Sequence, residues 1–420
     1  MINTTLGKLN IYVNDGNYGN IYPDSSAFLN EGVPFISASD FVGKNFNYKD
    51  IKHISKELHD TLLTKGHIQK DDILIVVRGN GIGKVGMLKD ELSDCNINAQ
   101  LAFIRLLDDE VDADYLYYLL SMPSNYEVIR RFGSGSAQPQ LPINRMLQIP
   151  LSMIEGKEKR KKIGAFLALL DKKIANNNAI NAELESMAKT IYDYWFLQFE
   201  FPNEEGKPYK SSGGKMVWNE ELKREIPEGW GTGNLYDIAD FVNGLACQKF
   251  RPIDDNKLPV IKITEMHDGI TENTEFVKAD IPEKNIIDDG DILFSWSATL
   301  EVMIWNGGRG GLNQHIFKVS PKNYPKYYVF MQLSAYVINF IKMAEARKTT
   351  MGHITTEHLK QSKIILPPKV ITERFNEEVS DMFQMIINNN IQNRELASFR
   401  DFLLPLLMNG QVGFKELSND

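Results

Sequence analysis

The sequence has few cysteines and lacks the residue spacings that commonly bind metals. Its two cysteines, Cys95 and Cys247, stand far apart, which fits a reducing compartment and excludes a disulfide framework. We therefore expect both thiols to be inert. The histidines form neither an H-E-x-x-H motif nor a Cys/His cluster, and we predict that the chain holds no metal. The seven histidines of the sequence are His53, His59, His67, His267, His315, His353 and His358.

Long apolar runs are also missing from the sequence. No window offers the roughly 18 uncharged apolar residues of a membrane span, and the segment MINTTLGKLNIYVNDG has no charged region followed by an apolar stretch. We therefore expect a cytoplasmic protein that is not exported. Low-complexity tracts and runs of like charge are absent as well, so the chain should be folded throughout.

Catalytic motifs are the third absence. The chain contains no Asn-Pro-Pro-aromatic motif of the kind that adenine methylation requires, and we expect a non-catalytic protein. Residues Gly81–Gly86 read GIGKVG, a literal G-x-G-x-x-G after an apolar strand, which is one signature of a dinucleotide site. The following MLKDEL is too short to open a long amphipathic helix, so a tight hairpin between two strands is the favoured interpretation.

Length and charge set further bounds. The 420 residues predict two or three domains, because single cores rarely grow beyond about 250–300 residues. Hydrophobic content of 43% and charged content of 24% are ordinary for a globular protein. The net charge of −8 counts against a stand-alone nucleic-acid binder, because such proteins usually neutralise phosphates with a basic surface. Any contact with DNA must therefore be local or shared with a partner.

An internal repeat is the clearest positive feature. Ile174–Leu184 reads IANNNAINAEL and Ile386–Leu396 reads IINNNIQNREL, and the two segments align without a gap. Upstream, each copy alternates short β-branched and aromatic runs with Gly, Asn and Asp, and then shows a helical patch. The matching upstream segments are Val33–Ile36 with Leu258–Ile261, Asp72–Leu74 with Asp291–Leu293, and Asn98–Gln100 with Asn313–Gln314. The order is thus domain, helix, domain, helix.

The fold class that follows is α+β, with two similar globular domains and two long helices. Between the two halves, prolines and glycines accumulate in residues 201–230, which is typical of a linker. We expect a first domain at 1–152, a helix at 153–200, the linker at 201–230, a second domain at 231–368, a helix at 369–412 and a tail at 413–420. Five tyrosines at helical spacing should belong to the cores: Tyr115, Tyr117, Tyr118, Tyr327 and Tyr328.

Both long helices carry the apolar seam of a coiled coil, interrupted by two asparagines. An antiparallel pair would set Asn177 and Asn181 near Asn393 and Asn389, and would give the chain a pseudo-two-fold repeat with a spacer of about 60 Å. The alternative is two unrelated amphipathic helices, each packed on its own domain. The seam residues are Leu170, Ile174, Asn177, Asn181 and Leu184 in the first helix, and Met382, Ile386, Asn389, Asn393 and Leu396 in the second.

Several segments, in their order and spacing, resemble one known family. They are YDYWF at Tyr192–Phe196, the stretch FEFPNEEGKPYKSSGGKMVWNEEL leading to IPEGW at Ile226–Trp230, the runs DILIVVRGNGIGKVG and GDILFSWSATLE, and RDFLLP at Arg400–Pro405. Together they resemble the specificity subunits of type I restriction-modification enzymes over nearly the whole chain.

The resemblance implies two target-recognition domains, each reading one half of a split, asymmetric DNA sequence. It implies that the paired helices set the spacing and dock two methyltransferase subunits, which bind S-adenosylmethionine. Restriction subunits that use ATP and Mg²⁺ would join in some complexes. A different class of function stays open at this point, an assembly scaffold whose duplicated domains bind protein rather than DNA.

Two acid-poor loops and two strand ends supply the candidate DNA-binding residues. Residues 130–145 read RRFGSGSAQPQLPINR, and residues 347–358 read RKTTMGHITTEH. Long cations such as Arg131 and Lys348 suit phosphates, whereas Gln138, Gln140 and His353 suit base edges. The alternative is that these are ordinary polar loops. The full set is Arg78, Asn80, Lys84, Arg131, Ser134, Ser136, Gln138, Gln140, Arg145, Ser295, Ser297, Lys348, Thr349, Thr350 and His353.

Overall fold

The computed structural model divides the chain into two compact units. Unit 1 comprises Met1–Lys173 together with Leu396–Asp420, and unit 2 comprises Ile174–Glu395. The boundary between the units therefore falls inside both long helices. The structure describes residues 1–16, 22–42, 45–46, 51–62, 67–88, 94–135, 139–346 and 353–414.

Unit 1 contains two four-stranded sheets and two two-stranded ones, of which the smaller hairpin pairs Phe41–Val42 with Asn45–Phe46. The larger sheets have the strand orders β2-β11-β8-β9 and β6-β3-β10-β7, and β1 pairs with β12. The elements are β1 Ile2–Thr5, β2 Ile11–Asp15, β3 Val33–Ile36, β4 Phe41–Val42, β5 Asn45–Phe46, β6 Lys52–Ile54, α1 Lys56–Thr61, β7 His67–Ile68, β8 Ile73–Val76, β9 Val85–Met87, β10 Cys95–Ile97, β11 Leu101–Leu106, α2 Ala113–Ser121, α3 Pro123–Phe132, α4 Ile143–Met146, β12 Pro150–Met153 and α5 Lys157–Tyr192.

The sequence of strand β8 is apolar at every position and not only at alternate positions. Successive side chains of a strand point to opposite faces, and both faces of β8 are buried. Ile73 and Ile75 pack in a cluster with helix α2, whereas Leu74 and Val76 pack in a second cluster with β10. Strand β8 pairs antiparallel with β9, so the G-x-G-x-x-G segment is the predicted hairpin.

Unit 2 repeats the strand orders of the two four-stranded sheets and of the β1–β12 pair. Its sheets run β16-β23-β20-β21 and β18-β17-β22-β19, and β15 pairs with β24. The pairs β3–β10 and β17–β22 are parallel in the two units, which confirms the duplication. The elements are β13 Met216–Asn219, β14 Arg224–Pro227, β15 Gly231–Gly233, α6 Leu235–Ile238, β16 Ala239–Asn243, β17 Lys257–Ile261, α7 Ile263–Asp268, β18 Phe276–Lys278, β19 Ile286–Ile287, β20 Ile292–Ser295, β21 Glu301–Ile304, β22 Gly310–Leu312, β23 Ile316–Pro321, α8 Lys326–Ala346, α9 Thr356–Lys360, β24 Ile364–Leu366 and α10 Lys369–Met408.

The segment 201–230 is not the open linker that its composition indicates. Strands β13 and β14 pair antiparallel within it, and Phe201, Ile226 and Trp230 are buried in the main core of unit 2. The rings of Phe201 and Trp230 stack with their centroids 5.0 Å apart. Burial of these large apolar groups outweighs the local preference of proline and glycine for turns, and the segment is part of unit 2.

Helices α5 and α10 pair antiparallel, as predicted. Within unit 2, the side-chain amide of Asn177 donates to Asn393 Oδ1 at 2.8 Å and to Gln392 Oε1 at 2.8 Å. Asn389 donates to Asn181 Oδ1 at 2.9 Å. Because the partner numbers fall as the α5 numbers rise, the helices run in opposite directions. Helix α5 begins at Lys157 rather than at residue 153, since Pro150–Met153 forms β12.

Burial along the seam is uneven. Of the seam residues, Leu170, Asn177, Asn181 and Ile386 are buried, and Ile174, Leu184, Met382, Asn389, Asn393 and Leu396 are half-buried. A different set is more deeply enclosed. Leu167 in α5 contributes to the core of unit 1, and Phe375 and Val379 in α10 contribute to the core of unit 2. Each unit thus builds part of its core on the helix pair.

The prediction that the five tyrosines belong to the cores agrees with the structure for four of them. Tyr115, Tyr118, Tyr327 and Tyr328 are buried, while Tyr117 is half-buried. The cysteines are buried as well, and burial raises the pKa of the thiols of Cys95 and Cys247. Among the residues that the structure describes, no helix is long and apolar enough to cross a membrane.

Candidate nucleic-acid interface

In unit 1, Pro139 and Leu141 are hydrogen-bonded to the end of strand β8 and the turn that follows it. The amide of Gly79 donates to the carbonyl of Pro139 at 3.0 Å, and the amide of Leu141 donates to the carbonyl of Val77 at 2.8 Å. These backbone bonds hold Pro139–Leu141 beside the hairpin tip. Residues that are about 60 positions apart in sequence therefore lie on one surface.

Five of the candidate residues share this surface. Ser134 and Gln140 exchange two backbone hydrogen bonds of 2.8 Å, and Gln140 also forms a bridge with Arg78. The hairpin tip, the end of α3, Gly133–Gly135 and Pro139 enclose an open groove of about 550 Å³ that Asn80, Arg131 and Ser134 line. We call the set the first recognition surface: Arg78, Asn80, Arg131, Ser134 and Gln140.

The charge of this surface is locally positive on an acidic chain. Arg131 is exposed. Its neighbour Arg130 also lines the groove and lies 3.6 Å from the carboxylate of Glu127. Arg78 has 38% of its side chain exposed, and its guanidinium lies 3.7 Å from the carboxylate of Asp15. Guanidinium and amide groups grouped in this way can bind phosphates and base edges.

Other candidate residues lie outside this surface or outside the described residues. Lys84 is half-buried in the hairpin turn and Arg145 is exposed on α4, and neither lines the groove as the structure describes it. Five candidates fall in segments that the structure does not describe: Ser136, Gln138, Lys348, Thr349 and Thr350. For these five the assignment stays a prediction.

Unit 2 builds the corresponding surface with different side chains. The amide of Ile354 donates to the carbonyl of Trp296 at 3.0 Å, which repeats the bond from Leu141 to Val77 in unit 1. Strand β20 pairs with β21 and β23 as β8 pairs with β9 and β11. Trp296 therefore occupies the position of Val77, and His353 occupies the position of Gln140.

Trp296 is the centre of this second surface. Its indole N–H donates to Asn243 Oδ1 at 3.0 Å, and its ring centroid lies 5.5 Å from that of His315 and 5.6 Å from that of His353. The buried Nδ1 of His315 has no hydrogen-bond partner among the described residues. We call Asn243, Trp296, His315 and His353 the second recognition surface.

The prediction that Ser295 and Ser297 contact DNA directly is wrong. Ser295 is fully buried and its hydroxyl donates to the carbonyl of Thr299 at 2.6 Å, and the side chain of Ser297 is also buried. Both serines therefore shape the turn after β20. Sequence reasoning chose the hydroxyls and missed Trp296 between them. The repeat could have identified Trp296, because aligning Asp291–Leu293 with Asp72–Leu74 places Trp296 at the position of Val77 in the first copy.

The fold also brings together two histidines and an aspartate that no motif in the sequence links. Among the described residues, His59, His67 and Asp94 bring one ligand atom each within 4.8 Å of one another. The three residues follow no metal-binding motif, because they come from separate elements that the fold brings together. The cluster is formed by helix α1, the start of strand β7 and the residue before strand β10. None of its residues belongs to either recognition surface.

Comparison with known proteins places the chain in a family. The family model of the type I restriction modification DNA specificity domain matches twice, at residues 17–186 and 227–397. The chain is 26% identical over 406 residues to the type I restriction enzyme MjaIX specificity subunit of Methanocaldococcus jannaschii, which covers 92% of this chain and 88% of that protein.

Two further proteins are similar over nearly their whole length. The type I restriction enzyme HindI specificity subunit of Haemophilus influenzae is 24% identical over 449 residues, covering 93% of this chain and 96% of the relative. The fold also resembles the crystal structure of the type I restriction-modification S subunit from M. genitalium, with a TM-score of 0.60, 14% identity and coverage of 97% and 96%. With two copies of the specificity domain, the chain belongs to the family of type I restriction-modification specificity subunits.

Proposed function

We propose that this non-catalytic specificity subunit recognises a bipartite, asymmetric DNA site, with one unit reading each half. The observation that carries the proposal is the pair of equivalent surfaces with different chemistry. Gln140 in unit 1 stands where His353 stands in unit 2, and Val77 stands where Trp296 does. Different donor and acceptor patterns select different base pairs, so the two half-sites should differ in sequence.

The chain acts together with partner subunits in this proposal. Methyltransferase subunits that bind S-adenosylmethionine dock on it, and restriction subunits that use ATP and Mg²⁺ join where the system cleaves DNA. The acidic net charge of −8 supports shared binding, because a duplex-binding assembly needs cations to displace the counterions of the phosphates. The locally positive first recognition surface then contributes only part of that neutralisation.

Selection from randomised duplexes tests the proposal against the scaffold alternative. The chain is assembled with its methyltransferase partner, duplexes that the complex retains are sequenced, and the enriched bases are counted. We expect two short specified segments separated by bases without preference. If the chain were a scaffold whose domains bind only protein, the complex would enrich no sequence through this chain, and replacing the chain's recognition surfaces would leave the selected bases unchanged.

Arg131→Ala should weaken binding of the assembled complex to all duplexes alike. Arg131 is an exposed cation on the groove, and a phosphate contact adds affinity without sequence information. We expect the slope of log affinity against log salt to flatten by about one ion. Lys161→Ala, an exposed cation on α5 that does not line the groove, serves as the matched control. A change in the mismatch ratios of Arg131→Ala would contradict its assignment to phosphate.

Gln140→Ala should instead relax the preference at one base of one half-site. A side-chain amide discriminates between bases by about 1–3 kcal/mol where it pairs with a base edge, and removing a neutral group leaves the salt slope unchanged. His353→Ala is the matched variant, because His353 occupies the equivalent position in unit 2, and it should relax a base of the other half-site. Isotherms on matched and single-mismatch duplexes measure both. Unchanged mismatch ratios in both variants would move base reading away from this position.

A further inference from the structure

Three potential metal ligands of unit 1 converge on one point. The Nε2 atoms of His59 and His67 lie 3.1 Å apart, and Oδ1 of Asp94 lies 3.1 Å from His59 Nε2 and 2.5 Å from His67 Nε2. His59 belongs to α1, His67 begins β7, and Asp94 directly precedes β10. Three separate elements therefore aim their ligand atoms at the same small volume.

These distances are close to those of a metal's coordination shell. Zn²⁺ binds imidazole nitrogen and carboxylate oxygen at about 2.0–2.1 Å in tetrahedral geometry, so ligand atoms lie about 3.3 Å from one another. Two of the three separations need to grow by only a few tenths of an ångström to match. The closest pair, His67 and Asp94, would open by somewhat less than 1 Å, and the half-exposed Asp94 side chain has room for that movement.

The surroundings of the cluster suit ligand binding. The Nδ1 atom of His59 lies 2.6 Å from the side-chain amide nitrogen of buried Asn96. Metal-bound histidines usually donate their other ring N–H to an oxygen, which sets the orientation of the ring. With the amide turned so that its oxygen accepts from Nδ1–H, Nε2 of His59 is free of a proton and can bind a cation. The exposed carboxylate of Asp94 gives an ion access from solvent.

Unit 2 supplies an internal comparison for this cluster. By strand register, Ile286 in β19 corresponds to His67 in β7. Arg309, which precedes β22, corresponds to Asp94, which precedes β10. The same sheet thus forms with an isoleucine and an arginine at these positions. The fold by itself does not require a histidine and an aspartate there, so their convergence in unit 1 calls for another explanation.

We propose that His59, His67 and Asp94 bind one first-row transition-metal cation of the Zn²⁺ type, with a water molecule completing a tetrahedral site. Two imidazoles and one carboxylate are ligands that suit such cations. The ion would connect α1, β7 and β10 and so stabilise the second sheet of unit 1. Nothing in this role involves catalysis. The competing arrangement is a metal-free hydrogen-bonded triad in which Asp94 Oδ1 accepts from both rings.

Titration of the untagged full chain with zinc tests this proposal. After removal of divalent cations by a chelator, calorimetric titration with ZnCl₂ and elemental analysis after dialysis should give one bound Zn²⁺ per chain. Substitution with Co²⁺ should give the visible absorption of a tetrahedral site. Zinc should also raise the thermal midpoint of the chain, because a cation that binds only the folded state stabilises it.

The variants separate this site from adventitious binding. His67→Ala and the near-isosteric Asp94→Asn should weaken zinc affinity by about 100-fold or more, since even changes beyond the ligands themselves cost about 10–100-fold. His53→Ala is the matched control, because His53 lies in the same unit on β6 and belongs to no cluster among the described residues. Asp94 is exposed, so Asp94→Asn should fold even if His67→Ala does not. Zinc uptake that is absent, or equal in Asp94→Asn and His53→Ala, would overturn the proposal in favour of the hydrogen-bonded triad.

Discussion

Exchange of residues 1–150 for the equivalent domain of a relative is expected to replace one half of the recognised DNA sequence and to leave the other half intact. The first recognition surface lies wholly within this range, and the second lies wholly within unit 2. Loss of the specific contacts of one half should lower affinity for the original site toward its non-specific level, which is a fall of about 1,000-fold or more. Selection from randomised duplexes by the assembled complex measures the new site.

The reciprocal exchange of residues 231–368 is the control, and it should alter only the other half. The exchanged first domain must still pack on the helix ends, because Ile163, Leu167, Leu404 and Leu407 share its core. A donor domain with apolar residues at these contacts is therefore required. If one exchange altered both halves of the site, the two units would not be independent readers.

Phe375→Ala is expected to lower the free energy of unfolding by about 3–5 kcal/mol, the usual cost of truncating a buried phenylalanine. Phe375 in α10 is 0% exposed. Its ring centroid lies 5.1 Å from that of Phe196, 5.9 Å from that of Trp195 and 6.0 Å from that of Tyr192. Truncation leaves a cavity against the end of α5, which the surrounding rings can fill only partly.

Urea unfolding followed by tryptophan fluorescence measures this effect, since Trp195 is in direct contact with the altered position. Phe402→Ala is the matched control, because Phe402 lies on the same helix and is 67% exposed. It should change stability by no more than about 0.5 kcal/mol. Equal unfolding midpoints for the two variants would show that the aromatic cluster does not hold the helix pair together in unit 2.

The features that sequence alone predicted are those with local or repeated signals. The duplication is predictable because Ile174–Leu184 and Ile386–Leu396 keep their spacing, and both units share the strand orders of their four-stranded sheets. The hairpin at Gly81–Gly86 is predictable from sequence because a turn depends mainly on residues that are neighbours along the chain. Asparagines in an apolar seam indicate a partner helix, since a buried amide needs a hydrogen bond.

The features that sequence missed depend on contacts between distant segments. Composition alone described 201–230 as a linker, because it does not show that Phe201 and Trp230 stack in the core. The seam pattern predicts which face of a helix packs against a partner, but it does not predict how deeply each residue of that face is buried. Leu184 and Leu396 are half-buried. Truncating either should therefore cost less than the about 2–5 kcal/mol of a fully buried leucine.

The division of both long helices between the units has a consequence for biosynthesis. The core of unit 1 includes Leu404, Leu407 and Met408 from the end of α10, so its hydrophobic surface at Ile163 and Leu167 cannot be covered until these residues have been made. At about 5–20 residues per second, the ribosome needs about 11–45 s to pass from Lys173 to Leu396. For that interval the nascent first domain is unfinished while the second is still being synthesised, and the exposed face of α5 is open to chaperones or to premature association with other chains.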